Sequence, residues 1–493
     1  MNLSLFVLVP VLMILAFTFC KDIRQVRTVG VIGSVIQLIL SAVLVFMFFA
    51  ERHAGNTADY LFTYDAVWYQ AANINIHYSV GVDGISVLML VLTSLILFTG
   101  VFTSWDMKLL PRDFFMWLTM LSVGVYGFFI TTDMFTMFFF YEIALIPMYL
   151  LIGIWGNGKK EYAAMKVALM LMGASAFIFT GLLGIYFNSS PDGHYTFNLI
   201  EIAKNAHIPL NVQLWAFPCI FIGFGTLSAL FPFHTWSPDG YGCAPTAVSM
   251  FHAGVLKNLG AYGCFRIAMQ LLPEGAQQLG WIFIILSAAG VVYGAFCAVS
   301  QTDLKYINAY SSVSHCCLIL FAILIWNKTA MTGAVMQMVS HGVMTAMFFA
   351  VIGMIYGRTH TRDLRQLGGM MKIMPFLSVV YIIAGLASLG LPGLSGFVAE
   401  MTIFVGAFEN GDMFSRGFTI LCIMSIVITA VYILRAVGKA IWGPVVNEDH
   451  LKLTDAKWTE KLALTVMTIG VAGIGLFPGW LSDMIHSSLT FMH

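Results

Sequence analysis

The stretch "MFTMFFFYEIALIPMYLL", residues 134–151, sets a single carboxylate, Glu142, among phenylalanines, leucines and methionines. It has the length and apolarity of a membrane-crossing helix, and nothing within it can solvate a charge. Runs of this kind recur from end to end. Each is long enough to cross a hydrocarbon layer of roughly 30 Å. The chain has 493 residues, of which 59% are hydrophobic and only 10% charged. That leaves no polar shell for a soluble core of this size. The alternating pattern of an outer-membrane barrel is absent. The fold class is therefore an all-α polytopic membrane protein.

The apolar runs predict about fourteen spans, near 3–19, 28–50, 84–104, 112–130, 133–155, 163–187, 213–234, 245–270, 277–299, 303–326, 329–356, 373–408, 417–440 and 461–484. Basic residues orient them. Of 24 Lys and Arg, 18 fall in odd-numbered loops, including "KDIRQVR", "GKKEYAAMK" and "GRTHTRDLRQLGGMMK". Arg52, Lys204, Lys328 and Arg416 fall in even loops, and Lys257 and Arg266 within the eighth span. Odd loops are thus expected on the cytoplasmic (or matrix or stromal) side, with both termini opposite. Basic residues follow the first run, which fits a retained span.

Two spans are interrupted alike. The seventh contains "SALFPFHTWSPDG", residues 228–240, and the twelfth "SLGLPGLSGF", residues 388–397. Pro232 and Pro392 lack a backbone N–H and cannot continue a helix cleanly. Each alone reads as an ordinary proline kink. The pair, in corresponding places of two halves, reads as a transporter built from repeats.

Of 24 acidic residues, only Glu142 and Glu400 sit well inside a span. A charge at a helix centre costs roughly 2.5–3.5 kcal/mol on insertion scales. Each of these acids reads as a proton carrier, or as a structural acid bonded to a neighbouring helix. Lys257, in "MFHAGVLKNLGAYG", is the matching base, unless its stem snorkels to an interface. His315 and His341 lie within spans, and His234 lies at the break in the seventh. Each can relay protons or simply pack. His252, one turn before Lys257, is a weaker candidate. The eight scattered cysteines show no metal-ligand spacing, and the net charge of zero gives no field for nucleic acid. No nucleotide loop or catalytic triad is present. Moving a proton against 100 mV takes about 2.3 kcal/mol, which must come from partners.

The segments "FYEIALIPMYLLIGIWG", "FPFHTWSPDGYGCAPTAVSMFHAGVLKNLGAYG", "QTDLKYINAYSSVSH" and "GLPGLSGFVAE" resemble the antiporter-like membrane subunits of respiratory complex I, most closely the chain 4 type. The resemblance runs nearly the full length. It implies two inverted five-helix repeats with broken helices seven and twelve. The corresponding division is an N-terminal three-helix part (1–111), a first repeat (112–272), a second repeat (273–441) and a C-terminal helix (442–493). It also implies an NADH–quinone oxidoreductase of an energy-transducing membrane, here a bacterial inner membrane. Flavin, iron–sulfur clusters and quinone would sit in partner subunits, and two antiporter-like subunits would flank this one. A stand-alone multisubunit cation/proton antiporter shares the fold and is the second reading. A scaffold that has lost transport is the third.

In this resemblance Glu142 falls on the family's fifth-helix glutamate, Glu400 on the twelfth-helix glutamate, and His315 and His341 on central-axis histidines. Two positions depart from it. The family's seventh-helix lysine falls on Ser228, and its eighth-helix lysine falls on Asn258, one residue after Lys257. One residue turns a side chain by about 100°. Either Lys257 or Lys166 replaces the missing partner of Glu142, or this half moves protons differently or not at all.

Overall fold

A chain buried in lipid must satisfy its backbone polar groups internally, and the apolar runs do so as helices. The computed structural model describes residues 1–71, 74–190, 195–205 and 207–489. Two helices, α1 (Leu5–Phe19) and α2 (Ile23–His53), open the chain. A hairpin follows, β1 (Leu61–Ala71) against β2 (Ile74–Val82), antiparallel. Then come α3 (Gly84–Thr103), α4 (Pro111–Ile130), α5 (Met134–Trp155), α6 (Lys160–Tyr186), the short α7 (Leu199–Asn205) and α8 (Leu210–Leu227). Beyond a break lie α9 (Trp236–Cys243), α10 (Thr246–Phe251) and α11 (Lys257–Gly263). The second half holds α12 (Pro273–Ser300), α13 (Leu304–Ile325), α14 (Lys328–Thr359), α15 (Met370–Ile373), α16 (Pro375–Ser388), α17 (Ser395–Glu409) and α18 (Met413–Ala440). The last helices are α19 (Trp458–Leu476) and α20 (Gly479–His486).

Eleven of these helices are long and apolar enough to cross a membrane. The short α1, the composite running from α10 through α11, and the pair α16 and α17 complete the fourteen expected crossings. Loop contacts sort their ends into two sides. Asn157 N–H bonds the Cys243 carbonyl, Leu304 N–H the Arg362 carbonyl and Gly369 N–H the Trp442 carbonyl, which joins odd loops. Thr132 N–H donates to the Ser79 carbonyl, and Gly84 N–H donates to Ser488 Oγ, which joins even loops to the C-terminal end. The alternation expected from the basic residues is the alternation of the folded chain.

Both expected breaks are present, each in the fourth span of a set of five. An odd number of spans turns the second set upside down relative to the first. In the seventh span α8 stops at Leu227, Ala229 takes a left-handed φ of 61°, and the helix restarts at Trp236. In the twelfth, α16 stops at Ser388, and Gly390 and Gly393 have φ of 74° and 92°. Glycine takes that conformation without the clash a Cβ would bring.

Three details differ from the spans read from sequence. The segment between α2 and α3 is a β-hairpin, because outside the lipid its Val, Tyr and Trp can pair as strands. The fourteenth span ends at Leu476, since Pro478 intervenes before α20. The eighth is not a uniform helix: π turns at His252–Leu256 and Cys264–Met269 bracket α11. Helices α3, α13 and α14 form the centre, with 89–94% of their most apolar windows buried, whereas α2, α18 and α19 form the rim at 33%. The polar residues of α13 and α14 therefore face protein, not lipid.

Candidate functional site

Lys257 begins α11 directly after a π turn. Such a turn swings the side chains beyond it by about 100° relative to an unbroken helix. The result points Lys257 inward. It is completely buried, with Nζ donating to Ser312 Oγ of α13 at 3.2 Å. The ammonium lies 4.8 Å from the centre of the Tyr241 ring, whose electron-rich face attracts a cation. Asn258 turns the other way and donates to the carbonyls of Gly254 and Met338. Snorkelling is excluded by this burial.

Ser228 does not occupy a charge site. Its hydroxyl donates to the Lys257 carbonyl at 2.8 Å, tying the break in the seventh span to α11. The approach is close because Gly260 has no side chain. A Cβ there would lie 2.3 Å from the Phe224 carbonyl oxygen and 2.7 Å from Ser228 N. His234, just past Pro232, is buried against Phe231 and Tyr293, with Nδ1 unpartnered. His252 stacks on Trp236, ring centres 5.1 Å apart, and neither of its nitrogens has a partner.

In the second half α13, α14 and α17 bring three expected residues together. His315 Nδ1 lies 3.4 Å from Glu400 Oε1. The same nitrogen lies 3.2 Å from Gln337 Nε2, and His315 Nε2 lies 3.3 Å from Ser388 Oγ. The His341 ring is 5.7 Å from that of His315, and both its nitrogens are buried without a partner. Ser388 ends α16 at the break that contains Pro392, and it also meets Ser311, to which the Tyr432 hydroxyl donates at 2.8 Å. A cavity of about 10 Å³ is lined by His315, Ser388, Glu400 and Thr429. That is room for about one water, with several polar partners. A proton can pass along such a chain by short steps between oxygens and nitrogens.

Glu142 stands apart. It is half-buried on α5, on the face that also carries the exposed Phe139, Ile146 and Tyr149. Oε1 is buried without a hydrogen-bond partner, and the polar neighbour facing it is Ser175 of α6. Neither lysine considered as its replacement partner pairs with it. Lys166 Nζ binds Asp239 Oδ2 at 2.6 Å, and Lys257 binds Ser312. Among the described residues neither Lys166 nor Lys257 therefore fills the place of the missing partner of Glu142.

Several charges that the sequence left at borders prove to be structural parts of the site. Lys305, buried in the first turn of α13, donates to the Ala244 carbonyl at 2.7 Å, and Arg362 donates to the Gly242 carbonyl at 2.6 Å. Both cap the C-terminal end of α9, where the helix dipole favours cations. Asp239 in the same helix accepts from Lys166 and from the Tyr306 hydroxyl. At the other end of the eighth span, Arg266 and Asp83 form a fully buried ion pair. The only available sequence signal was the opposite signs of Asp83 and Arg266, at an unknown distance. Among the described residues, no group of three or more His, Cys, Asp or Glu side chains could hold a metal ion.

Residues 131–429 match the family model described as NADH:quinone oxidoreductase/Mrp antiporter, transmembrane. The chain belongs to this family. Helices α5 to α18, with both breaks and every buried ionisable residue described above except Asp83, fall within or at the edge of the matched region. A curated relative from Nostoc sp., "NAD(P)H-quinone oxidoreductase chain 4 1", is 33% identical over 482 residues, covering 97% of this chain and 88% of its own. Among solved structures, a chain of respiratory complex I from Thermus thermophilus superposes with a TM-score of 0.88 at 24% identity, covering 99% of this chain and 98% of that one. A chain of the Mrp complex from Dietzia sp. gives 0.85 at 19% identity, covering 99% and 97%. These two likenesses concern the fold alone.

Proposed function

We propose that the chain is a proton-translocating membrane subunit of a complex I-type NADH–quinone oxidoreductase. The relatives of full-length similarity are chain 4 subunits of such enzymes, which favours this reading over a stand-alone antiporter. The observation that carries the mechanism is the buried contact of His315 with Glu400, linked through Ser388 and a water-sized cavity. Glu400 holds the proton, His315 and His341 pass it, and Lys257 serves as the buried base of the eighth span. The breaks at Pro232 and Pro392 end helices at mid-depth and admit polar side chains there. Glu142 is the isolated acid of the first repeat, and Ser228 holds α11 in place of donating a charge.

The repeats divide the chain at residues 112–272 and 273–441, after three N-terminal helices in 1–111 and before a C-terminal helix in 442–493. Flavin, iron–sulfur clusters and quinone reside in partner subunits, whose redox chemistry drives the protons. Membrane-arm subunits, two of them antiporter-like, flank the chain in a bacterial energy-transducing membrane.

The test is Lys257→Met in the intact complex reconstituted into vesicles. Expected is a lowered ratio of protons moved per electron, with NADH oxidation by an artificial acceptor retained. An unchanged ratio in this variant and in Glu142→Gln and Glu400→Gln would refute the translocation role.

A further inference from the structure

A cleft unconnected to the buried chain lies on the cytoplasmic side, where α2 begins, α3 and α14 end and α19 begins. Its volume is about 930 Å³, within the range of small-molecule sites. Four cations, Arg27, Lys108, Arg358 and Lys457, face two carboxylates, Asp106 and Glu460. Two of the cations are already neutralised: Arg358 binds Glu460 at 2.6 Å, and Lys457 pairs with Asp106. Arg27 and Lys108 remain. Arg27 is held in place, its Nε donating to the Trp105 carbonyl at 2.9 Å and its guanidinium lying 5.1 Å from the Trp105 ring centre. Its terminal amino groups have no protein acceptor among the described residues, nor does Lys108 Nζ. One wall of the cleft is α14 at Gly357, where a Cβ would meet nothing within 4 Å.

A second feature says what fills the cleft. Below it, toward mid-membrane, α2 and α19 both pack on α3 along an apolar seam. Val31, Val35 and Leu38 follow Arg27 down α2 at helical spacing and face Phe98, Phe102 and Val466. At the mouth Trp458 is 67% exposed, the interfacial position tryptophan favours in membranes. A fixed guanidinium and a free ammonium above a strip of aliphatic and aromatic side chains match an amphiphile with an anionic head. A soluble phosphate has no use for the seam.

We propose that this cleft binds an anionic phospholipid, its phosphodiester accepting hydrogen bonds from Arg27 and Lys108 and an acyl chain lying along the α2–α3–α19 seam. Basic pockets between spans on the cytoplasmic side suit such headgroups. The inference does not depend on which protons the buried chain moves.

The experiment photolabels the complex in vesicles with a photoactivatable phosphatidylglycerol, against the phosphatidylcholine analogue, and maps the labelled peptides by mass spectrometry. Expected is phosphatidylglycerol labelling of the peptides around residues 27–38 and 98–108, reduced about fivefold by Lys108→Gln and further by Arg27→Gln, while Arg27→Lys retains much of it. Lys108 is exposed, and its ammonium has no hydrogen-bond or ion-pair partner among the described residues, so its variant keeps the test clean. Equal labelling by the two lipids, or labelling unaffected by Lys108→Gln, would overturn the proposal. So would full competition by inorganic phosphate, which would mark a soluble-anion site.

Discussion

His315 and Glu400 meet across α13 and α17, Nδ1 to Oε1 at 3.4 Å, beside the break that divides the twelfth span. If α16 and α17 were one straight helix, Ser388, Gly390 and Glu400 would spread along a single rod. The break folds them around one cavity. A methyl group at Gly390 would lie 2.8 Å from Glu400 Oε2, so the backbone there closes on the carboxylate.

If these two residues act as a unit, their replacements are not additive. His315→Gln and Glu400→Gln should each lower protons moved per electron, and the double variant should be no worse than the more damaging single. Independent, multiplying losses in reconstituted vesicles would sink the idea of a shared step.

Tyr241 offers Lys257 an aromatic face, and among the described residues no carboxylate pairs with this lysine. A desolvated cation–π contact is worth about 2 kcal/mol. Tyr241→Leu should therefore depress pumping and Tyr241→Phe should restore it, since phenylalanine keeps the ring. Equal loss in both variants would shift the role to the Tyr241 hydroxyl, which is buried without a partner.

The Arg266–Asp83 pair carries a structural load at the C-terminal end of the eighth span. Removing one partner of a buried pair costs about 3–5 kcal/mol, whereas replacing both by apolar groups costs far less. Arg266→Met or Asp83→Leu alone should lower the thermal midpoint in detergent, and the double variant should recover most of it. Failure of the double to recover would assign the loss to packing.

In the loop between α14 and α15, Arg365 beside Asp363 holds that exposed carboxyl below the usual aspartate value, through its side chain and its backbone N–H. A lowered folded value means a contribution present above the ordinary aspartate range and lost as pH falls through the lowered value. Acid, not base, should thus loosen the loop between α14 and α15, and Arg365→Gln should move the loosening to higher pH. Limited proteolysis of vesicles across pH reads this directly. Loosening on the alkaline side would contradict it.

Much of this protein is written locally. Apolar runs of membrane length dictate the crossings, since lipid offers a backbone no other solution. Pro232 and Pro392 dictate the breaks, because each removes a helical donor wherever it stands. Lysine and arginine counts sort the loops into two alternating sets, and Glu142, Lys257 and Glu400 stand out because few charges tolerate a span.

What stayed hidden were relations between distant residues. Hydropathy does not record a π turn, so the direction of Lys257 was undetermined until α11 packed against Ser228 through Gly260. Lys166 looked like a partner for Glu142 and instead binds Asp239, 73 positions away. Arg266 and Asp83 are separated by 183 positions. Sequence determined which groups are costly in the membrane, since that cost is a property of each segment alone. Only the tertiary structure decided which of them meet, because a contact depends on the rotation of two helices about their axes, and that is set by packing of the whole bundle.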